Sequence, residues 1–494
     1  MILNKNDKYS RYSLYAIIIF SLIVLSLTAV YHVSGDGCWH MQAAKFMADN
    51  RKLPLFEPIG RNEPFWSPPF YHLIAAAVFS IFSENAAYFL SKFLSPLFGI
   101  GSLIVLFLLV KKLYSPKIAF YSVIFLASIP IFMDYGILSY VEAMLVFFVI
   151  LSVYLCITEK LWLCGIAAGL ASFTKYNGLF IIPVLVYIRF RKSKMTKKFL
   201  IESAKIIVPV IIAAGPWLIR NWIYLGNPVW PFMNSVFSGY SAPSYEGTGV
   251  TTSFNIGNLF HPNALIYAYL GFFGVPDGNY KLLNFFNLPY MGILIPIWLI
   301  CTMIFILPVF FGIGKGKTKN GFLSVWIASY FVLLVLYVAN ASWSVSRIIL
   351  PAVPVLAVLW AVGFDRIQKK TNVSWVVAAL IIAGFVFTIF LKVTMAANSW
   401  DFYRDDFSWV IKNIPKDAVF IANGQCIPYN IRKTSMQISQ NSIETADYLW
   451  MNQKFALDKR SIYNEQEMEL LNQKNLNLAY RNDKTGTFVY SIEH

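Results

Sequence analysis

Long apolar stretches separated by short basic patches fill the first four fifths of the chain. Ser13–Val33, Phe89–Val110, Ile206–Ile219 and Trp375–Val393 are runs of this kind, several near the roughly 20 residues that the hydrocarbon core of a bilayer requires. A backbone inside lipid must satisfy its own hydrogen bonds, so such runs predict transmembrane helices. The pattern predicts about eleven spans, at 13–33, 89–110, 117–133, 143–157, 161–173, 176–190, 199–219, 289–312, 322–340, 345–363 and 374–394. The two short pieces 161–173 and 176–190 predict a hairpin joined at Thr174-Lys175-Tyr176. Phe70–Phe82 (FYHLIAAAVFSIF) is too short to cross comfortably and predicts a helix lying in the membrane interface.

From Asn398 onward the pattern changes to short mixed stretches. A helix is predicted at Phe407–Ile414, a buried strand at Ala418–Ala422, amphipathic stretches near Ile443–Leu449 and Glu465–Leu471, and a strand at Thr487–Ile492. The fold class expected is therefore a polytopic α-helical membrane protein with a small extracytoplasmic α/β domain at its C-terminus. The division falls between a membrane module at 1–397 and a C-terminal unit at 398–494.

Composition agrees with this reading. Of the 494 residues 57% are hydrophobic and 13% charged, with a mean hydropathy of +0.57, where a soluble domain carries about 25% charged residues. The first run follows Lys5, Lys8 and Arg11 but is long and has no clear small-x-small cleavage site, so it reads as a retained helix rather than a cleaved signal. Five cysteines, Cys38, Cys156, Cys164, Cys301 and Cys426, are scattered without metal-like spacing, which argues against a disulfide framework and against a zinc site.

The net charge of +16 raises the question of nucleic acid, and its location answers it. From Asn398 to the end there are 11 basic and 12 acidic residues, so the excess lies in the membrane module. There it clusters between spans, at Lys111/Lys112/Lys117, Arg189–Lys198, Lys315/Lys317/Lys319 and Arg366/Lys369/Lys370. Placing those clusters in the cytoplasm obeys the positive-inside rule, puts the N-terminus inside and leaves the C-terminal unit outside a cytoplasmic membrane. No nucleic-acid partner is implied. The outer face then holds two long loops, 34–88 and 220–288, rich in Trp, Pro, Gly and aromatic residues, and loops of this length are usually functional or disordered.

Charged residues near lipid are costly, so those at the outer ends of spans are informative. Asp36 follows the first span and Glu142 opens the fourth. Each can simply cap or complement a helix N-terminus. Together they can also share a metal ion or substrate, or divide general-base and orienting roles. Glu63 and Asp134 lie nearby. Arg347, at the outer end of the tenth span, has no local carboxylate. It must snorkel to headgroups, or a distant acid or an anionic ligand must complete it. Arg220 and Lys175 add two cations on the same face, and phosphate suits a guanidinium fork.

In their order along the chain these residues resemble the GT-C glycosyltransferases that use polyprenyl-phosphate sugars, including protein O-mannosyltransferases and lipid A aminoarabinose transferases. The resemblance covers residues 13–363 and rests on several segments. Asp36 is followed by a juxtamembrane helix containing His40; Phe65-Trp66-Ser67-Pro68-Pro69-Phe70-Tyr71-His72 looks like an aromatic-Pro-Pro segment; Ser139-Tyr140-Val141-Glu142-Ala143 resembles a second acidic site. Thr174-Lys175-Tyr176-Asn177-Gly178-Leu179, Pro216-Trp217-Leu218-Ile219-Arg220-Asn221 with Gly226-Asn227-Pro228, and Arg347-Ile348-Ile349-Leu350-Pro351 complete it. Two departures stand out. Gly37 follows Asp36 where the family commonly has a second acid, which weakens a metal role, and no Trp-Trp-Asp-Tyr-Gly string is present.

The resemblance implies inverting transfer of one sugar from a polyprenyl monophosphate to a hydroxyl of a lipid, glycan or glycoprotein acceptor outside the membrane. Asp36 would be the general base and Glu142 would orient the acceptor or a divalent ion. Arg347, with Lys175 or Arg220, would hold the donor phosphate, and His40, Glu63, Trp66, Tyr176 and Asn221 would line the substrate site. The rival class is a transporter or flippase of lipid-linked sugars, which should show paired repeats and broken helices at matching depths. The chain has instead a lopsided polar face and long external loops.

Overall fold

The structure, a computed structural model, describes residues 7–59, 63–241, 257, 260, 306–313, 321–339, 346–369, 376, 379, 403–452 and 463–494. The spans expected at 374–394 and over most of 289–312, and most of the loop 242–288, lie outside the described residues.

The first helix, α1 (Lys8–Val30), starts where Asp7 accepts from the Tyr9 amide at 3.1 Å. Ile17, Phe20, Val24 and Leu27 are buried at helical spacing while Ile18, Ile19 and Leu22 are exposed. A helix apolar on both faces, with one face packed on protein, is built to meet lipid on the other. The loop after it folds into α2 (Asp36–Asn50), α3 (Phe70–Ile81) and α4 (Glu84–Ser91), and α4 runs on toward α5 (Leu94–Leu113).

Ser115 caps α6 (Pro116–Ser128), whose proline occupies the first turn, where its missing N–H costs nothing. A second proline opens α7 (Pro130–Ile137), and the two helices meet at 66°. The run expected as one straight span at 117–133 is thus a bent pair, because a proline cannot continue the hydrogen-bond ladder.

Next come α8 (Glu142–Ile157), α9 (Leu161–Thr174), a 3₁₀ turn at Tyr176–Ile181, α10 (Ile182–Ser193) and α11 (Lys197–Leu225). In α9, Gly165 and Gly169 lie directly on α11: a Cβ on Gly165 would meet the Ile206 carbonyl oxygen at 2.4 Å. Small residues four apart let two helices close on each other in this way. The bundle continues with α12 (Gly321–Ala339), a short helix Ser346–Ile349, a 3₁₀ turn Leu350–Ala352 and α13 (Val353–Gln368).

Antiparallel α8 and α9 sort charge to two ends. Glu142 and Lys175 share one end, while Glu159 sits at the other, about 24 Å away by helical rise. There Arg189, fully buried, donates to both Glu159 oxygens at 3.1 and 3.2 Å and to Glu202 at 2.9 Å. This second ion cluster adjoins the basic loop 191–198.

Among the described residues four helical segments are long and apolar enough to cross a membrane: Lys8–Val30, Glu84–Leu113, Lys197–Leu225 and Arg347–Gln368. The bent pair makes a fifth, and Phe70–Ile81, Glu142–Ile157, Leu161–Thr174 and Gly321–Tyr337 are shorter apolar helices.

Residues 403–494 carry a five-stranded sheet. Its elements are α14 (Arg404–Asn413), β1 (Val419–Ile421), α15 (Cys426–Ile431), β2 (Thr434–Met436), α16 (Gln440–Thr445), β3 (Tyr448–Asn452), α17 (Glu465–Leu471), β4 (Leu476–Asn482) and β5 (Thr487–Ile492). Strand order is β2-β1-β3-β5-β4, with β1 parallel to β2 and β3, and β5 antiparallel to β3 and β4. The stretch read as one amphipathic unit at 443–449 splits at Ala446: Tyr448 begins β3, where it pairs with Phe420 and Ser491.

One expectation is overturned. Cys38 and Cys426 form a disulfide, while Cys156 and Cys164 are free and buried. A bond between residues 388 apart leaves no trace in spacing.

Candidate functional site

Asp36, His40, Glu142, Lys175 and Arg347, all singled out in the sequence, converge at one end of the bundle. Asp36 opens α2, Glu142 opens α8, Lys175 links α9 to the 3₁₀ turn, and Arg347 lies in the short helix ahead of α13. Arg347 Nη1 donates to Asp36 Oδ2 at 2.6 Å, and Lys175 Nζ donates to Glu142 Oε1 at 2.6 Å. Neither Asp36 nor Glu142 sits at the cap position and neither helix has a side-chain cap, while both acids lie in the first turn, where they also complement the helix N-terminus. Arg347 finds its counter-ion in a distant acid, 311 residues away.

The two pairs belong to one cluster. His40, a turn beyond Asp36, senses the charges of Asp36, Glu142, Lys175 and Arg347. Burial dominates it and pushes its pKa down to about 4, so the ring is neutral near pH 7. Its Nδ1 shares a hydrogen bond of 2.8 Å with His72 Nε2, deep under Trp39 and Phe65. Asp36 is balanced differently. Surrounding protein raises its pKa, but the charge and hydrogen bond of Arg347, with smaller help from His40 and Lys175, bring it down to about 2. Its side chain is nevertheless 40% accessible, against 24% for Arg347, 14% for Lys175 and 1% for Glu142. Asp36 is therefore the most accessible of the four, and Glu142 the least.

Backbone geometry fixes the start of α2. Gly35 has φ +55°, a conformation open to glycine, and a Cβ there would lie 2.6 Å from Tyr140 Oη. With that space left free, the Asp36 amide donates to Tyr140 Oη at 3.0 Å. Tyr140 precedes Glu142 by two residues, so one tyrosine braces the segments carrying both acids. Sequence reasoning quoted Tyr140 and His72 within motifs and gave neither a role.

The remaining candidates form a bracing network beside this centre. Tyr176 Oη accepts from Asn221 Nδ2 at 2.7 Å and Trp217 Nε1 at 3.0 Å, and donates to the Trp66 carbonyl at 3.2 Å. Trp66 stacks on Trp39. Arg220 donates to the carbonyls of Phe65 at 3.0 Å and Pro54 at 2.9 Å and lies over the Trp217 ring at 4.7 Å. Its fork is spent on the loop 34–88, so it serves there as a clamp. Glu63 is buried beside the antiparallel bridge of Phe56 and Pro64, where its carbonyl accepts from the Glu57 amide at 2.8 Å. Asp134 is buried within α7. Among the described residues no three His, Cys, Asp or Glu side chains group to hold a metal ion.

Residues 66–219 match the family model of the dolichyl-phosphate-mannose-protein mannosyltransferases. No curated protein matches the chain in sequence. Solved structures resemble it over almost its whole length. ArnT from Cupriavidus metallidurans bound to undecaprenyl phosphate is similar at 12% identity over 97% of this chain and 97% of that one, with a TM-score of 0.62. The oligosaccharyltransferase of Archaeoglobus fulgidus is similar at 14% identity over 99% of this chain and 75% of that one, TM-score 0.55. The mycobacterial arabinofuranosyltransferase AftD is similar at 12% identity over 98% of this chain and 40% of that one, TM-score 0.56. The chain thus has the fold of the GT-C membrane glycosyltransferases, as the resemblance in its motifs implied.

Proposed function

We propose that the protein transfers a sugar from a polyprenyl monophosphate to a hydroxyl acceptor on the outer face of a cytoplasmic membrane, with inversion. The observation that carries this reading is the ion-paired cluster Asp36–Arg347 and Glu142–Lys175, drawn from four separate elements to one end of the bundle. The similar ArnT structure holds undecaprenyl phosphate, a ligand of the class that two such cations suit. About eleven spans, with the C-terminal sheet outside, complete the arrangement.

The charges suggest how the site works. A phosphate entering the site competes with Asp36 for the Arg347 fork and with Glu142 for Lys175. Once the fork turns to phosphate, Asp36 loses the partner that holds its pKa near 2 and recovers the basicity to take a proton from the acceptor hydroxyl. General-base help of this kind is worth about 10²–10⁴-fold. Arg347 and Lys175 then stabilise the charge gathering on the departing phosphate. Neutral His40, hydrogen-bonded to His72, keeps the floor of the site uncharged.

Binding tests the donor half directly. Purified protein should bind polyprenyl phosphate, and Arg347→Lys, which keeps the charge but loses the fork, should weaken binding by about tenfold. Equal binding by the variant would remove Arg347 from the donor site.

A further inference from the structure

Asp36 belongs to the membrane module, yet the helix it opens is also held by the C-terminal unit. Cys38, two residues after Asp36 and fully buried, is bonded to Cys426 at the start of α15. Contacts surround the bond. Cys426 Sγ lies 3.7 Å from the Gly35 carbonyl oxygen, and Tyr429 meets Tyr88 edge-on at 5.0 Å. Arg432 lies over the same Tyr88 ring at 4.7 Å and donates to Asn85, and Lys416 reaches Glu84 at 3.3 Å. The unit is thus fixed to α2 and α4 by a covalent bond, an aromatic contact and charge.

The first turn of α2 is held from two sides: within the membrane module Trp39 stacks on Phe65 and His40 bonds to His72, and Cys38 is tied to the C-terminal unit. The turn follows a glycine with positive φ and has no side-chain cap, and uncapped helix starts fray. Asp36 itself is bonded through its amide to Tyr140 and through its carboxylate to Arg347, and both bonds need the turn in this register.

We propose that the C-terminal unit, acting through Cys426, is a positioning element of the site: the tether keeps the first turn of α2 wound so that Asp36 stays registered against Arg347. The inference rests on the transferase reading for its catalytic consequence and on geometry alone for the tether. It also requires Cys38 and residues 403–494 to share one oxidising compartment, as disulfides do.

The test uses the full-length protein in nanodiscs, comparing wild type with Cys38→Ser/Cys426→Ser. Amide hydrogen exchange at residues 36–41 should accelerate by about tenfold or more, with α8 and α9 unchanged. Turnover per folded molecule should fall by about tenfold or more, since misplacing a reacting group by about 1 Å can cost about 10²-fold. The acid limb of the kcat/KM profile should move to higher pH as Asp36, faced by Arg347, Lys175, His40 and Tyr140, loses its fixed place beside the guanidinium. To cover a misfolded variant, the same readings are taken on wild type reduced with TCEP and then reoxidised, and turnover should return on reoxidation. Unchanged exchange at 36–41, or lost turnover with an unmoved acid limb, would overturn the proposal. If wild type transfers no sugar from any defined donor, the transferase reading falls, while the exchange data still decide the tether.

Discussion

Replacing Arg347 by methionine removes the group that holds the Asp36 carboxyl at about 2. An ordinary aspartate titrates at about 3.9, so that hold corresponds to about 2–3 kcal/mol of preference for the charged form. The Asp36 side chain is 40% accessible, and solvent screening reduces the pair's contribution to about 1–2 kcal/mol. Because the folded pKa is depressed, this stability is present above about pH 4 and is lost as pH falls through about 2. The assay is a double-mutant cycle of wild type, Asp36→Asn, Arg347→Met and the double variant, with unfolding measured in detergent at pH 7. Either single change should cost more than its share, since each strands a charge or a donor, and the double variant should recover about 1–2 kcal/mol of coupling. Acidification from pH 5 toward pH 3 should erode wild-type stability more than that of either variant. Coupling below about 0.5 kcal/mol, the limit for independent sites, would refute the ion pair.

Lys175→Met leaves Glu142, 1% exposed, without its cation; thermal unfolding should show a loss of about 3–5 kcal/mol, largely restored by adding Glu142→Gln. Gly35→Ala should lower turnover at least about tenfold, because a Cβ there meets Tyr140 Oη at 2.6 Å and displaces either that hydroxyl, which braces Asp36, or the start of α2. Arg220→Lys should cost about 1–2 kcal/mol of stability through its lost bonds to the Phe65 and Pro54 carbonyls, while polyprenyl phosphate affinity stays unchanged.

Charge at the ends of apolar runs made much of the centre legible. Arg347 is a cation beside lipid with no local acid, and Asp36 and Glu142 are acids at span ends, so each demanded an explanation from composition alone. Which explanation holds was not legible, because capping and ion pairing use the same residue types, and the pairing of Arg347 with Asp36 crosses 311 positions. Arg220 looked like a third phosphate ligand for the same reason and is instead bonded to carbonyls of a loop more than 150 positions away. Tyr140 carries no charge to mark it, and its role follows from the space left by Gly35. In the C-terminal unit the longer amphipathic elements α14 and α17 and the strand β5 could be read from pattern. The three-residue β2 and the boundary at Ala446 are set by pairing across the sheet.

Release of polyprenyl phosphate tests the central claim most directly. Purified protein is incubated with defined polyprenyl-phosphate sugars and hydroxyl acceptors, and products are followed by mass spectrometry for wild type and Asp36→Asn. The account predicts free polyprenyl phosphate and a glycosylated acceptor with wild type. With Asp36→Asn it predicts turnover lowered by about 10² or more and donor binding retained. Wild-type rates from a normally folded Asp36→Asn protein would contradict it.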